Sequence, residues 1–400
     1  MKYLILVFTL CFSFSLFAQT LHLVKPSDTD AGITTDDQNH WVYLNQDVTP
    51  KNKLFVFLPG TFAFPALYSR VLKTAANLGY HSIGLNYPNP LPINTICGIS
   101  TDTTCHGRAR QEVIDGIDRH LAVNVTQPNS IENRLIKVLQ YLDDEFPNEN
   151  WGQYWTGDST IIWESIVMSG HSQGGGHAAI LGKLRPLERV VIFASLDWMN
   201  TLDRIPSWVT MDGVTSSDKY FAFTHDEDEA LDFDQQQIFW EGLGMNPTDN
   251  LILVDDTFSP FQNSQTLFTQ ITPAADSQFH SCIVVDVATP KDVNGVPVLE
   301  TVWEYLIDFP LSTSIVNNAR EDFRFKVFPN PATERIWINS ITERQEPTQI
   351  EMYNSYGQQV NSFIMNGNMK SYSLDDYPVG MYFLVFKNRN KKSVVKFMKL

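Results

Sequence analysis

One six-residue turn, residues 170–175 (GHSQGG), constrains the fold of this chain more than any other stretch. The apolar run 166–168 before it predicts a buried strand, and the small and apolar residues 176–181 after it predict a helix. A serine between a strand and a helix, flanked by glycines, is typical of a nucleophile elbow, in which the serine Oγ stands clear of the sheet. A Cβ at Gly170 or Gly174 would collide with the neighbouring strand or helix.

This turn resembles the α/β-hydrolase superfamily, whose serine esterases and lipases often carry a Gly-His-Ser-x-Gly elbow. The resemblance is specific at Ser172 and looser over the rest of residues 40–310. It implies an α/β fold, a mostly parallel sheet flanked by helices. It also implies an oxyanion hole, made by the backbone N–H of Gln173 and a second N–H from the loop after an earlier strand. The corresponding loop here offers Thr61 or Phe62.

A serine hydroxyl near neutral pH needs a base, and the base needs an orienting carboxylate. Two histidines lie downstream of the elbow helix, His225 and His280. The chain order that the resemblance implies is serine, acid, histidine. His280 is therefore the predicted base, because His225 precedes or abuts the acid candidates. His171 and His177, on either side of the serine, are expected to be structural.

Three aspartates are candidates for the acid. Asp228 and Asp226 follow a predicted strand at residues 219–224, and the His-x-x-Asp spacing that ends at Asp228 resembles Thr-His-x-x-Asp in a group of exported bacterial hydrolases. Asp228 is favoured, Asp226 is second, and Asp197, one strand earlier, is third. The other carboxylates are expected to form a solvated acidic face, since a calcium site would lack EF-hand spacing: Glu227, Glu229, Asp232 and Asp234.

The first 18 residues predict a secretory signal peptide. Lys2 supplies a positive charge, residues 4–17 are apolar, and Ala18 offers a small residue for cleavage. No later stretch is apolar and long enough to suggest a membrane span. The net charge of −16 argues against nucleic acid or an anionic membrane surface as a partner. Residues 19–311 are predicted to form the hydrolase domain.

Residues 89–129 interrupt the alternation of strands and helices and contain Cys97 and Cys105. Cys11 leaves with the signal peptide, so three cysteines remain. In an oxidising compartment Cys97 and Cys105 are expected to form a disulfide and Cys282 to remain a free thiol. Metal binding is disfavoured because one histidine is close to them in sequence and no second cysteine pair exists. This segment could contact substrate as a partial lid, or could be inert.

After a polar linker at residues 312–322, residues 323–400 show short β-type runs separated by turn signals. They resemble the C-terminal sorting domain of proteins exported by the bacterial type IX secretion system. The features that carry this resemblance are 328–332 (FPNPA), 353–357 (YNSYG), 374–382 and the basic-apolar tail 395–400. The resemblance implies a small all-β sandwich that targets the secretion machinery. A carbohydrate-binding sandwich is the alternative, but the strands lack a row of aromatic residues.

These observations predict an exported serine hydrolase that cleaves carboxylic esters through Ser172, His280 and an aspartate. No Gly-x-Gly-x-x-Gly or Walker pattern implies a cofactor. Trp198 and Trp240 are candidate substrate contacts, although single tryptophans are usually core residues. The expected partners are an ester substrate and the secretion machinery. The alternatives are a surface binding or adhesion protein on a hydrolase scaffold, and an acyltransferase or peptidase with the same triad.

Overall fold

The computed structural model describes residues 19–274, 278–309, 325–340, 347–354, 358–367, 369–388 and 391–400. The signal peptide predicted at 1–18 and the linker predicted at 312–322 lie outside these residues, as does part of the 353–357 motif. The chain divides into two compact units, Met1–Leu311 and Ser312–Leu400.

The first unit is built on one sheet of nine strands, in the order β1-β2-β4-β3-β5-β6-β7-β9-β8. Strands β1 and β2 pair antiparallel to their neighbours, and the other seven are parallel to one another. The strands are β1 (Thr20–Val24), β2 (His40–Leu44), β3 (Leu54–Leu58), β4 (His81–Gly84), β5 (Ile166–His171), β6 (Arg189–Phe193), β7 (Tyr220–His225), β8 (Leu251–Leu253) and β9 (Thr266–Thr269).

Helices lie between the strands of this unit. The α-helices are α1 (Pro26–Thr29), α2 (Ser69–Asn77), α3 (Ile93–Cys97), α4 (Cys105–Asp115), α5 (Ile131–Glu145), α6 (Gln173–Leu184), α7 (Phe233–Gly242), α8 (Pro247–Asn250), α9 (Phe279–Cys282) and α10 (Glu300–Asp308). Short 3₁₀ helices cover Pro65–Tyr68, Gln127–Asn129, Pro147–Glu149, Trp151–Tyr154, Trp163–Ser165, Ser217–Lys219 and Phe261–Asn263. None of the described helices is both long and apolar enough to cross a membrane.

The sheet is buried on both faces, which explains why its central strands are continuous apolar runs rather than alternating ones. In β3, Leu54, Val56 and Leu58 join the core cluster on one face. The two phenylalanines between them, Phe55 and Phe57, join the cluster on the other face. Residues of α4, α5, α6 and α7 cover the first face. Residues of α2 and α10 cover the second.

The connections reverse direction at β3. From β3 the chain crosses to β4 on one side, and β5 then pairs with β3 on the other side. In open α/β sheets, ligands bind outside the carboxyl ends of the strands at such a switch point. The carboxyl ends of β3 and β5, in register at Leu58 and Gly170, are therefore the place to look for a site.

The second unit consists, in its described residues, of two antiparallel sheets ordered β10-β11-β14 and β13-β12-β15-β16. Their apolar residues form one core cluster, in which Phe325 of the first sheet stacks on Phe386 of the second with ring centroids 4.0 Å apart. The strands are β10 (Phe325–Phe328), β11 (Arg335–Ser340), β12 (Thr348–Asn354), β13 (Gln359–Met365), β14 (Met369–Ser373), β15 (Gly380–Asn388) and β16 (Lys391–Lys399). The predicted class, α/β followed by an all-β region, is confirmed.

Candidate active site

Ser172 lies between the last residue of β5 and the first residue of α6, in a backbone conformation of φ 54° and ψ −121°. A non-glycine residue with positive φ is strained, and such strain concentrates at functional sites. The flanking glycines make the turn possible. A Cβ on Gly174 would lie 2.0 Å from the Leu58 carbonyl oxygen of β3, and one on Gly170 would lie 2.3 Å from the Gly174 carbonyl carbon. The sequence therefore needs glycine on both sides of a partly exposed serine.

The predicted base and the favoured acid are in contact. His280, on the four-residue helix α9, has its Nδ1 3.0 Å and 2.8 Å from the two carboxylate oxygens of Asp228, in the loop after β7. The Asp228 side chain is fully buried and that of His280 is 14% exposed. Asp228 Oδ1 also accepts the backbone N–H groups of Ala230 and Leu231, both at 2.9 Å. The carboxylate is thus fixed by its own loop and directed at the imidazole.

The backbone of His280 is held on both sides. Its N–H donates to Glu229 Oε2 at 2.9 Å, and its carbonyl oxygen accepts from His171 Nε2 at 2.9 Å. The rings of His171 and His280 lie 4.7 Å apart. Because His171 immediately precedes Ser172, His280 lies next to the elbow. Sequence reasoning assigned Glu229 to a solvated acidic face, and nothing in the spacing of the acidic run distinguishes it.

The two other acid candidates have different partners. Asp226 bonds to Gln270, and one of its oxygens lies 3.3 Å from His225 Nδ1. Asp197, after β6, is fully buried and accepts two hydrogen bonds from Arg110, at 2.7 Å and 2.5 Å. Burial is the largest single influence and acts to raise the pKa of Asp197. The charges of Arg110 and His106 and the hydrogen bonds from Arg110 and Trp208 together outweigh it and hold this pKa at about 2. Within the described residues, neither carboxylate bonds to His280.

Two backbone N–H groups are candidates for an oxyanion hole. Gln173 is the first residue of α6, so its N–H has no partner within the helix and lies at the positive end of the helix dipole. In the loop after β3, Gly60 lies against the elbow, since a Cβ there would be 3.2 Å from Ser172 Cβ. The Thr61 N–H has no acceptor among the described residues, whereas the Phe62 N–H donates to the Asn89 carbonyl oxygen at 3.4 Å.

The inserted segment is tied to this edge of the sheet. Cys97 and Cys105 form the expected disulfide between α3 and α4, and Cys282 is buried without a disulfide partner. Ile93 donates its backbone N–H to Gln173 Oε1 at 3.0 Å. His120 lies near both disulfide sulfurs. Since those two sulfurs are bonded to each other, they are not thiolate ligands for a metal.

The aromatic candidates differ in exposure. Trp198 is 6% exposed and Trp240 is fully buried, and both belong to the core cluster on the helix α4–α7 face. Trp198 therefore presents little ring surface to a substrate. Phe62 is 72% exposed, the highest exposure of any aromatic side chain in the described residues. Its φ of 59° is a second departure from what a bulky residue prefers. Sequence reasoning named Phe62 for its backbone alone.

Comparison with known proteins identifies the tail. Residues 326–399 match the family described as the secretion system C-terminal sorting domain. This domain indicates export by the type IX secretion system to the cell surface or the medium, and it implies interaction with the secretion machinery. The predicted localisation is confirmed. No curated protein matches the chain.

Three solved structures show a distant similarity to parts of this chain. PorZ, an essential surface component of the type IX secretion system of Porphyromonas gingivalis, is 11% identical over 19% of this chain and 11% of its own, with TM-score 0.17. A DUF3244 family protein with an immunoglobulin-like β-sandwich from Bacteroides vulgatus is 13% identical over 20% and 88%, with TM-score 0.18. A proposed dienelactone hydrolase from Klebsiella pneumoniae is 11% identical over 64% and 86%, with TM-score 0.34. These values are too low to assign an activity.

Proposed function

We propose that this protein is an exported serine hydrolase of the α/β-hydrolase type that cleaves carboxylic esters. One observation carries the proposal: a serine in a strained strand-to-helix turn directly follows His171, which bonds to the backbone of His280, and His280 Nδ1 is 2.8 Å from a buried carboxylate. Nucleophile, base and orienting acid are the three parts that acyl transfer by serine requires. Their chain order, Ser172, Asp228 and His280, is the order of the α/β-hydrolase type.

In the proposed reaction, the Oγ of Ser172 attacks the ester carbonyl carbon while Nε2 of His280 takes the hydroxyl proton. Asp228 accepts the Nδ1–H, which fixes the tautomer and stabilises the imidazolium. The carbonyl oxygen becomes an oxyanion that accepts from the N–H groups of Gln173 and Thr61. The C–O bond to the alcohol then breaks, and His280 returns the proton to the leaving oxygen.

Hydrolysis of the acyl-enzyme completes the cycle. A water molecule gives one proton to His280, and its oxygen attacks the acyl carbon. Collapse of the second oxyanion releases the carboxylic acid, and Ser172 recovers its proton from the imidazolium. The sum is ester plus water to acid plus alcohol, with no cofactor in the balance. An acyltransferase would use another acceptor in place of water at this second step.

The substrate proposal starts from Phe62. The Asn89 carbonyl oxygen accepts both the Phe62 N–H and the Gln173 Nε2–H, so the backbone of Phe62 lies beside the elbow. A phenyl ring that is 72% exposed on a strained backbone costs stability without filling the core. We therefore propose that the ring packs against an apolar or aryl group next to the scissile ester.

The proposal is tested with a fluorophosphonate probe, which phosphonylates an activated serine. The wild type should be labelled once, at Ser172, and Ser172→Ala should abolish both labelling and turnover of p-nitrophenyl esters. Ser195→Ala is the matched control, since Ser195 is a buried serine just after the next strand, β6. Labelling that survives Ser172→Ala would refute the assignment. A wild type that is neither labelled nor active would favour the binding or adhesion alternative.

A further inference from the structure

A chain of hydrogen bonds joins the loop after β3 to the backbone of His280. The Gly60 N–H donates to the Tyr68 hydroxyl oxygen at 3.2 Å, and the Tyr68 O–H donates to His171 Nδ1 at 3.0 Å. His171 Nε2–H then donates to the carbonyl oxygen of His280 at 2.9 Å. A carbonyl can only accept, so the proton of the neutral imidazole belongs on Nε2, and Nδ1 is free to accept from the tyrosine.

Burial keeps the members of this chain in the protonation states that it needs. Tyr68 and His171 are 1% and 4% exposed. Burial lowers the pKa of His171 to about 3, so the imidazole is neutral, and burial raises the pKa of Tyr68, so its hydroxyl keeps its proton. Each buried polar group therefore has a partner, and removal of one partner leaves another unsatisfied.

His280 depends on contacts from outside its own helix. The helix that carries it, α9, spans four residues, too few to be stable alone. The core packing of Cys282 anchors the helix, and three hydrogen bonds hold His280 itself: with Asp228 on the ring, Glu229 on the N–H and His171 on the carbonyl. Of these, only the bond to His171 leads directly to the nucleophile, since His171 and Ser172 share a peptide bond.

We propose that His171 is a positioning residue: it fixes His280 relative to Ser172 and, through Tyr68, links the base to the oxyanion loop at Gly60. The inference rests on the proposed esterase function and deepens it. The sequence predicted a structural role for His171, and its contacts show which groups it holds in place. The bonds that His171 makes are to the backbone of the base and to the residue that holds the oxyanion loop.

The kinetic test uses two substitutions at His171 and one at Tyr68. His171→Phe removes both hydrogen bonds and should lower kcat about 10²-fold with little change in KM, because misplacement by about 1 Å has that cost. His171→Gln keeps an N–H donor for the His280 carbonyl and should recover part of the loss. Tyr68→Phe keeps the ring and should lower kcat about fivefold to tenfold, as expected for one hydrogen bond.

Tyr154→Phe is the matched control. Like Tyr68→Phe, it removes a buried tyrosine hydroxyl that makes a hydrogen bond. This hydroxyl donates to the Lys53 carbonyl oxygen at 3.1 Å, just before β3 and at the opposite end of that strand from the elbow. It should change stability and leave kcat unaltered. The inference is overturned if His171→Phe folds and keeps kcat within about twofold of wild type. If His171→Phe does not fold, an unchanged kcat in Tyr68→Phe overturns it.

A second readout separates this inference from the esterase proposal. In the Ser172→Ala background, amide hydrogen exchange of residues 279–282 should be faster with His171→Phe and unchanged with Tyr154→Phe, because exchange reports local opening. This measurement does not require activity. If exchange accelerates while the wild type proves inactive on esters, the esterase proposal is refuted and the positioning contact is retained. If exchange is unchanged while the wild type is active, the positioning role alone is refuted.

Discussion

Two buried aspartates follow neighbouring strands of the sheet, and their partners differ in whether they can exchange a proton. Asp197, after β6, is paired with the buried guanidinium of Arg110 and also accepts the indole N–H of Trp208 at 2.9 Å. Asp228, after β7, is paired with the partly exposed imidazole of His280. Arginine is always protonated, so the first pair cannot transfer a proton, whereas an imidazole can. The same carboxylate group therefore holds a permanent charge at one strand end and contacts a group that can exchange a proton at the next, as the proposed mechanism requires.

Arg110, the partner of Asp197, also stabilises the turn that carries Ser172. Arg110 Nη1 donates to the carbonyl oxygen of Gln173 at 2.9 Å. A Cβ on Gly176 would lie 2.2 Å from Arg110 Nη2, so glycine at this position in the first turn of α6 leaves room for the guanidinium as it is placed. Arg110 belongs to α4, whose first residue is Cys105 of the disulfide. The inserted segment thus helps to hold the helix that follows Ser172.

The largest expected effect is on kcat, which should fall when Asp228 is replaced. Asp228→Asn keeps the shape of the side chain but stabilises the wrong tautomer of His280, so kcat should fall by about 10⁴, the cost of the equivalent change in the serine-protease example. Ester turnover and the rate of fluorophosphonate labelling measure it.

Asp226→Asn is the control for Asp228→Asn, since Asp226 bonds to Gln270 rather than to His280. It should leave kcat close to wild type. If Asp226→Asn is the inactive variant and Asp228→Asn is active, the acid is wrongly assigned although the serine mechanism stands. If both are active and Asp197→Asn is not, the acid lies one strand earlier.

The next effect is on stability. Asp197→Asn leaves Arg110 buried without a counter-charge, which should lower the free energy of unfolding by about 3–5 kcal/mol. Urea denaturation followed by tryptophan fluorescence measures it. Asp228→Asn should cost much less stability than Asp197→Asn. Equal losses for both would remove the distinction between an architectural and a catalytic carboxylate.

A smaller loss is expected on the same architectural side. Replacing both Cys97 and Cys105 by serine removes a disulfide between residues that are 8 positions apart in the sequence. In the chain-entropy model this should lower the free energy of unfolding by about 2–3 kcal/mol. Thermal unfolding of oxidised wild type and of the double variant measures it. In the described part of the chain the side chain hydrogen-bonded to the disulfide sulfurs is His120, which is not a catalytic candidate, so kcat at a temperature where both proteins are folded should be similar. A loss of kcat larger than the loss of stability would assign the inserted segment a direct role in the site.

The smallest expected effect lies on the catalytic side. Phe62→Ala should lower kcat/KM for ethyl benzoate or benzyl acetate about tenfold, the upper range for an aromatic pair, and leave ethyl acetate unchanged. Comparing the first two esters tells whether the ring packs against the acyl or the alcohol part. Phe64→Ala, a neighbouring and partly exposed phenylalanine, is the control. An equal loss for all three esters would mean that Phe62 supports the loop and not substrate choice.

Local sequence determined the features that depend on local chemistry. The glycines around Ser172 are required by close backbone approach, so the turn could be predicted from residues 170–175 together with the strand-type run before them and the helix-type run after them. The central strands were recognisable because strands buried on both faces are continuous apolar runs. The tail was recognisable from motifs within residues 323–400. The disulfide followed from two cysteines eight residues apart in an exported chain.

Other elements had weak local signals. The three- and four-residue strands β8 and β9 were not predicted, nor were β13 and β14 of the second unit, because their stability comes from pairing with neighbours. Strand β7 ends at His225, one residue later than the sequence indicated. Such boundaries are set by the sheet and not by residue preference.

Only the tertiary structure distinguished among chemically equal side chains. Asp197, Asp226 and Asp228 are the same group in similar strand-end positions, and what separates them is the partner that the fold brings to each: Arg110, Gln270 or His280. The contacts of Glu229 and His171 with the His280 backbone cross 51 and 109 residues of sequence. Hydrogen bonds between residues so far apart leave no periodic or compositional trace, because each partner needs only the right atom at the right place once the sheet has formed.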